Sequence, residues 1–292
     1  MKIKIVKSPI FYMGNKERLI KKGLLDLFPK NIDTFYEIFC GSAICSLNVS
    51  SNNICINDID MNVIEIINYF KLQKPYCVVN KIEHLINYYE MPTFSTDARV
   101  YKGDRNIYKE RYNKIRNDYN KTHNVELLYL LNIFSNSHMI RFNKNNEFNM
   151  PFGNGYFTNQ CKENILNNTY NKINCVLHKD FRYFINQNFN KDDFIYLDPP
   201  YLNTTATYNE NNKWDLYDEI ELLKWCEQLN SKNIKFGISN IFSNKDYINT
   251  NLIDWCKNNN FYVYHFNNFS YCACGKGDSK TDEVFITNYQ IL

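Results

Sequence analysis

The distribution of apolar positions changes character twice along the chain. Near the N-terminus, short β-prone runs alternate with helical periodicity. Residues 34–39 (TFYEIF) end at Gly41 and lead into a predicted helix over 42–49, and residues 54–59 (ICINDI) lead into another over 61–70. A strand, a glycine turn, a helix and a strand ending in an acid make the grammar of a doubly wound α/β sheet. Such sheets bind ligands at the carboxyl ends of their strands. From about residue 72 strand candidates thin out: the pattern predicts an apolar helix at 125–134, helical character over the basic stretch 101–121, and a hairpin over 139–157 turning at 144–146. From 174 the alternation returns, with strands predicted at 174–177, 194–197, 234–239, 261–266 and 284–288 and helices at 181–186, 216–229 and 247–257. The expected architecture is α/β, a doubly wound and mostly parallel sheet built from 1–71 and 174–292. A helical-plus-hairpin domain, 72–173, interrupts it after its second strand.

Composition narrows the class without naming a function. With 292 residues, 44% hydrophobic and 16% aromatic, the chain must bury a core, so intrinsic disorder is excluded. No run of about 18 apolar residues is present to span a bilayer, and the first residues lack a signal-peptide core. The protein is expected to be soluble and cytoplasmic, with no membrane partner. The 47 Asn are spread along the whole chain, a compositional bias silent on function. Ten cysteines are scattered without any CxxC; the single close pair, Cys272 and Cys274, lacks a nearby His or second pair, so reduced core thiols are expected and no metal site. The formal charge is only +3, but residues 101–121 hold seven Lys/Arg against three Asp/Glu. A polyanion is thus permitted locally rather than demanded globally.

The sharpest chemical signal is Asp198-Pro199-Pro200-Tyr201, directly after a β-prone run. Two prolines fix φ and cannot continue a ladder, so the chain leaves the sheet stiffly. One carboxylate, one prolyl carbonyl and one aromatic face are thereby held in a fixed relation. That set suits a planar heterocycle bearing an exocyclic amino group: Asp198 and the Pro199 carbonyl each accept one N–H, and Tyr201 stacks on the ring. A stiff turn without chemistry fits the bare four letters equally well. Farther upstream, Glu37, Phe39 and Gly41 end the first strand at a small-residue turn, and Asp58 ends the next, where a carboxylate accepts from ribose hydroxyls. The phosphate-binding G-x-G-x-x-G is absent, which favours a cofactor without phosphates. Tyr12, Gly14 and Lys16 precede a helical stretch and form either a pocket edge or a surface turn.

Taken together, Tyr12-x-Gly14-x-Lys16, Phe39-Cys40-Gly41, Asn57-Asp58-Ile59-Asp60, Arg141-Phe142-Asn143, Phe148 to Gly153 and Asp198-Pro199-Pro200-Tyr201 resemble the Dam-type (D12 class, alpha group) DNA adenine methyltransferases, in that family's order, from about residue 8 to 288. The resemblance implies a Rossmann-like fold, S-adenosyl-L-methionine as cofactor, and the adenine N6 amino group of double-stranded DNA as acceptor. It implies that Asp198, Pro199 and Tyr201 are catalytic and hold a flipped-out base, that Tyr12, Lys16, Glu37, Phe39, Gly41, Asp58 and Asp198 line the cofactor site, and that the insertion recognises the DNA target. Arg141, Asn143, Lys144 and Asn149 on the hairpin, with Arg111 and Lys114 on the basic stretch, are the candidate DNA contacts. The family usually has a second glycine where Ala43 stands, and often Trp where Tyr12 stands. A cognate restriction endonuclease is a possible functional partner, and the oligomeric state is open. Amino groups of RNA or of a protein glutamine, and a non-catalytic DNA-binding regulator, stand as alternatives. The segment 271–278 is expected to be a loop before the last strand.

Overall fold

The computed structural model describes residues 5–92, 105–153, 155–202, 214–244, 247–269 and 281–291. Eight strands of these residues join in one sheet: β1 (Thr34–Glu37), β2 (Asn53–Asp58), β3 (Cys175–His178), β4 (Phe194–Leu197), β5 (Lys235–Asn244), β6 (Tyr247–Ile248), β7 (Tyr262–Phe269) and β8 (Thr281–Thr287). In space they run β3-β2-β1-β4-β5-β8-β7, with β6 beside β5. The first five of that order pair in parallel, and β8 lies antiparallel between β5 and β7. This is the mostly parallel, Rossmann-like sheet that the alternation predicts. The direction of winding reverses between β1 and β4, the switch point at which such sheets bind ligands. β4 reads FIYL with all four residues buried, as a central strand covered on both faces must.

Between β2 and β3 come α2 (Met61–Leu72), α3 (Pro75–Tyr88), α4 (Arg105–Thr122), α5 (Val125–Phe134) and α6 (Asn159–Leu166). Asp60 caps α2 through the Asn62 N–H, and Asn124 caps α5 through the N–H groups of Glu126 and Leu127. From Leu127 onward α5 is buried on every side, packing Tyr129 edge-on against Phe70 of α2 with ring centroids 4.9 Å apart. A single apolar cluster therefore runs from the sheet, through α2, into the inserted helices. A second cluster on the other face is closed by α7 (Leu216–Ser231) and α8 (Thr250–Asn258). A short α1 (Glu17–Lys21) precedes the sheet. No helix of the described residues is long and apolar enough to cross a membrane.

Several expectations need correction. Residues 42–49 form successive turns rather than a helix, because Gly41 and Ala43 both take positive φ (46° and 52°), and Asn48 spends its side-chain N–H on the carbonyls of Val6 and Ile44. The helix expected over 247–257 begins only at Thr250: Tyr247 and Ile248 pair with β5 instead, and Asn249 caps α8 through the Leu252 N–H. Residues 181–186 wind as a 3-10 helix, and β5 runs well past the expected 234–239. The hairpin turns where expected but is narrow. It is a single antiparallel bridge, Phe142 to Phe148, closed by Asn143 Oδ1 accepting from the Asn145 and Glu147 N–H groups, with Asn146 at φ 58°. Residues 101–104 and the expected loop 271–278, with Cys272 and Cys274, lie outside the described residues.

Candidate functional site

Strand register brings three acids to one end of the sheet. Glu37 of β1 pairs with Ile56 on one side and Tyr196 on the other, so Asp58 and Asp198 each lie two residues farther along the flanking strands. Glu37 is 3% exposed and accepts from both the N–H and the hydroxyl of Ser46, the former at 2.9 Å. Burial pushes its carboxyl up to about 8; the two bonds from Ser46 oppose this, and the charges of Asp198 and Asp58 add to it. Asp58 spreads its two oxygens over backbone N–H groups, Oδ2 accepting from Gly41 at 2.7 Å and Oδ1 from Asp60 at 2.9 Å. Burial raises it to about 6 against those bonds. The Asp58 bond folds the loop after β1 onto the end of β2. Asn57 reinforces this by donating to the carbonyls of Ile38 and Lys179, at 3.0 and 2.9 Å.

Gly41 is the point of close approach. A Cβ there would lie 2.6 Å from the Tyr12 ring, and φ 46° disfavours any side chain. Tyr12 thus covers the turn that Asp58 holds. The next hydroxyl, Ser42 Oγ, is buried without a hydrogen-bond partner among the described residues. Phe39 packs in a cluster with Phe181 and Trp214 at ring separations of 5.8 and 5.6 Å. The Trp214 indole N–H is also unpartnered among the described residues.

At the Asp198 corner, Lys16 Nζ lies 2.8 Å from Asp198 Oδ2, 4.0 Å from Glu283 and 3.0 Å from the Gly14 carbonyl to which it donates. Burial alone would lower the pKa of this ammonium, but the facing carboxylates of Asp198 and Glu283 outweigh it and raise it. Asp198 is also raised, by its own burial, against the pull of Lys16. The Tyr201 hydroxyl donates toward Asp198 Oδ1 at 3.1 Å and toward Glu283 Oε1 at 3.3 Å, and Lys16 sits 5.1 Å from the centre of its ring. Pro199 is buried, Pro200 is exposed, and Asp198 and Tyr201 are part-exposed, so the corner opens outward instead of packing inside. Lys16, Asp198 and Tyr201, 185 positions apart at the extremes, meet at this corner.

Two participants were not foreseen. Glu283 is an acid at the start of β8, whose one sequence signal is a charge beside an apolar strand. Asn132 lies in the apolar α5, fully buried; its Oδ1 accepts from the Phe11 N–H at 3.1 Å, and its Nδ2 donates to the Phe11 carbonyl at 2.9 Å and the His138 carbonyl at 2.7 Å. Through it the insertion grips the segment carrying Tyr12. The Phe11 ring also stacks on His138, centroids 4.2 Å apart.

The candidate DNA contacts divide into two groups. On the hairpin, Arg141 Nε donates to Asn149 Oδ1 at 2.9 Å, Asn143 donates to Glu147, and Lys144 is exposed at the tip. On α4, Arg111 is engaged by the carbonyl and carboxylate of Glu90, and Lys114 lies over the rings of Tyr88 and Tyr89 at 5.4 and 5.7 Å.

A sequence profile describing "D12 class N6 adenine-specific DNA methyltransferase" matches residues 12–270. The chain belongs to this family. It is 35% identical to Modification methylase StsI of Streptococcus sanguinis over 98% of its own length, and 32% identical to Type II methyltransferase M.FokI of Planomicrobium okeanokoites over 97%. It spans 43% of the length of each of those two relatives. Type II methyltransferase M1.LlaDCHI of Lactococcus lactis subsp. cremoris is 23% identical, the match covering 95% of this chain and 94% of that protein.

Proposed function

We propose that this D12-family chain is a site-specific DNA adenine methyltransferase that transfers a methyl group from S-adenosyl-L-methionine to N6 of an adenine flipped out of the duplex. The observation that carries the proposal is the Asp198–Tyr201 corner, part-exposed beside the Gly41 turn and braced by Lys16. The chain's residues suit the cofactor: Asp58 offers remaining lone pairs to ribose hydroxyls, Ser42 Oγ is a buried group lacking a partner among the described residues, and the missing side chain of Gly41 lets the Tyr12 ring close over the turn. Phe39 with Phe181 and Trp214 supplies an aromatic wall. When bound, the cofactor supplies an electrophilic methyl group on a sulfonium.

Asp198 and the Pro199 carbonyl accept the two N–H bonds of the adenine amino group. Accepting both draws that nitrogen toward pyramidal geometry and frees its lone pair. The Tyr201 ring stacks on the base, and removal of the base from the duplex is needed because N6 is otherwise paired and stacked. No nucleophile from the protein is required; the eight cysteines within the described residues are free, and burial pushes the thiols of Cys40 and Cys45 up. Residues 72–173 serve as the target-recognition part, Arg141, Asn143, Lys144 and Asn149 reaching the duplex. The name of the first of these relatives, a modification methylase, favours a modification role for this chain, and a cognate restriction endonuclease is the partner such a role would have.

Incubation with labelled S-adenosyl-L-methionine and duplex DNA, RNA or protein, followed by location of the label, tests this. Label on adenine N6 is expected; label on cytosine, RNA or protein overturns the reading. In the same assay Asp198→Ala is expected to retain duplex binding and to lose turnover about a thousandfold or more, since it removes an interaction made directly to the reacting group.

A further inference from the structure

The phenol of Tyr201 faces two carboxylates with one hydrogen to give. Its oxygen lies 3.1 Å from Asp198 Oδ1 and 3.3 Å from Glu283 Oε1, nearly equidistant. The other oxygen of Asp198 is held by Lys16 at 2.8 Å. Both oxygens of Asp198 are therefore engaged before any base arrives, although the proposed reaction needs this carboxylate to accept a substrate N–H. A hydrogen bond to an ionised acceptor is worth roughly twice a neutral one, so the phenol is a serious competitor for that oxygen.

The antiparallel strand explains how an alternative acceptor is placed there. Leu197, the last residue of β4, pairs with Ile238 of β5, and Ile241, three residues on, pairs with Glu283 of β8. Glu283 thus stands at the level where the chain, leaving β4, has become the Pro199–Tyr201 corner. Its side chain is 1% exposed and is itself 4.0 Å from Lys16, which shares its charge between the two acids.

We propose that Glu283 is a positioning residue that receives the Tyr201 hydrogen when a substrate amino group takes its place on Asp198. The exchange requires only rotation of the O–H about its bond to the ring, so the stacked ring keeps its position. Glu283 thereby frees the catalytic carboxylate while the part-buried phenol hydrogen keeps an acceptor. This inference rests on the adenine methyltransferase reading above and assigns a role within that same site.

A double-mutant cycle tests it, with kcat and KM for duplex and cofactor measured for the native chain, Glu283→Gln, Tyr201→Phe and the double variant. Glu283→Gln leaves the phenol only a neutral acceptor, weaker than Asp198, and is expected to lower kcat about tenfold, with KM for the cofactor changed less than about threefold. In the Tyr201→Phe background, where no phenol hydrogen competes, the same substitution is expected to have little further effect. Equal losses in both backgrounds overturn the exchange and leave Glu283 as a counter-ion to Lys16. If the Gln variant fails to fold, Glu283→Asp, which keeps the charge and withdraws the oxygen by one methylene, enters the same cycle with the same two outcomes. A native chain that methylates no adenine-containing duplex overturns the functional reading and this inference together, whereas an active chain with an additive cycle overturns this inference alone.

Discussion

Glu37 is a carboxyl held where ionisation is unwelcome, between Asp58 and Asp198 at the switch point of the sheet. Its pKa is pushed from the ordinary range near 4.5 to about 8, chiefly by burial. Because the folded pKa exceeds the unfolded one, the native state binds the extra proton over this interval. The associated stability is full below the unfolded value and is lost as pH rises through about 8. Asp58, raised to about 6, acts in the same direction over a lower and narrower window. Chemical denaturation of the native chain is therefore expected to show falling stability from pH 5 to pH 8.5. Glu37→Gln, which keeps the shape and can still accept from Ser46, should flatten the upper part of that slope; an unchanged slope in the variant would show that Glu37 is already ionised in the folded protein. A neutral Glu37 also limits the negative charge that Lys16 must balance, so its protonation belongs to the electrostatics of the Asp198 corner.

The helix α5 shows where element-level reading of a sequence stops. VELLYLLNIF reads correctly as a buried apolar helix, and its one Asn looks like another instance of the abundant Asn along the chain. Its role depends on which segments the fold brings beside it, and Phe11 is 121 positions away. Glu283 escaped notice for the same reason: its meaning lies in an antiparallel register that no local window contains. Asp198, Pro199 and Tyr201, by contrast, are tied together by a stiff local corner, and Gly41 and Asp58 follow closely on β1 and end β2, so their grouping is legible from spacing. The irregular 42–49 segment was not, since two positive-φ residues break a pattern whose composition is helical. Replacing Asn132 with Leu makes α5 more apolar yet removes the partners of three backbone groups. At roughly 1 kcal/mol or more for each orphaned group, a net loss of about 2–4 kcal/mol is expected, against the gain from a larger apolar side chain. Denaturant midpoints decide it: a variant as stable as the native chain would mean that Phe11 and His138 find other partners.

One continuous apolar core joins the sheet to α5, so the inserted helices pack on the same cluster as the strands that carry the Gly41 turn. If the chain binds a duplex as proposed, its net charge of only +3 offers little general positive field, and individual cations in particular places must supply the attraction. The geometry distinguishes among them. Arg111 is committed to Glu90, and Lys114 lies over the rings of Tyr88 and Tyr89, so both support the junction of α3 and α4. Lys144 stands exposed at the tip of a turn that Asn143 stiffens. If Lys144 meets a phosphate, Lys144→Ala should weaken duplex binding and reduce the salt slope of log K by about 0.9, the value for one neutralised phosphate on B-form DNA. Arg111→Ala should lower thermal stability through loss of the Glu90 contacts and leave the slope nearly unchanged. Affinities measured across a salt series for both variants separate these outcomes. A slope that falls with Arg111→Ala and holds with Lys144→Ala would move the DNA path from the hairpin tip to the face of α4, and with it the side of the Asp198 corner from which the base enters.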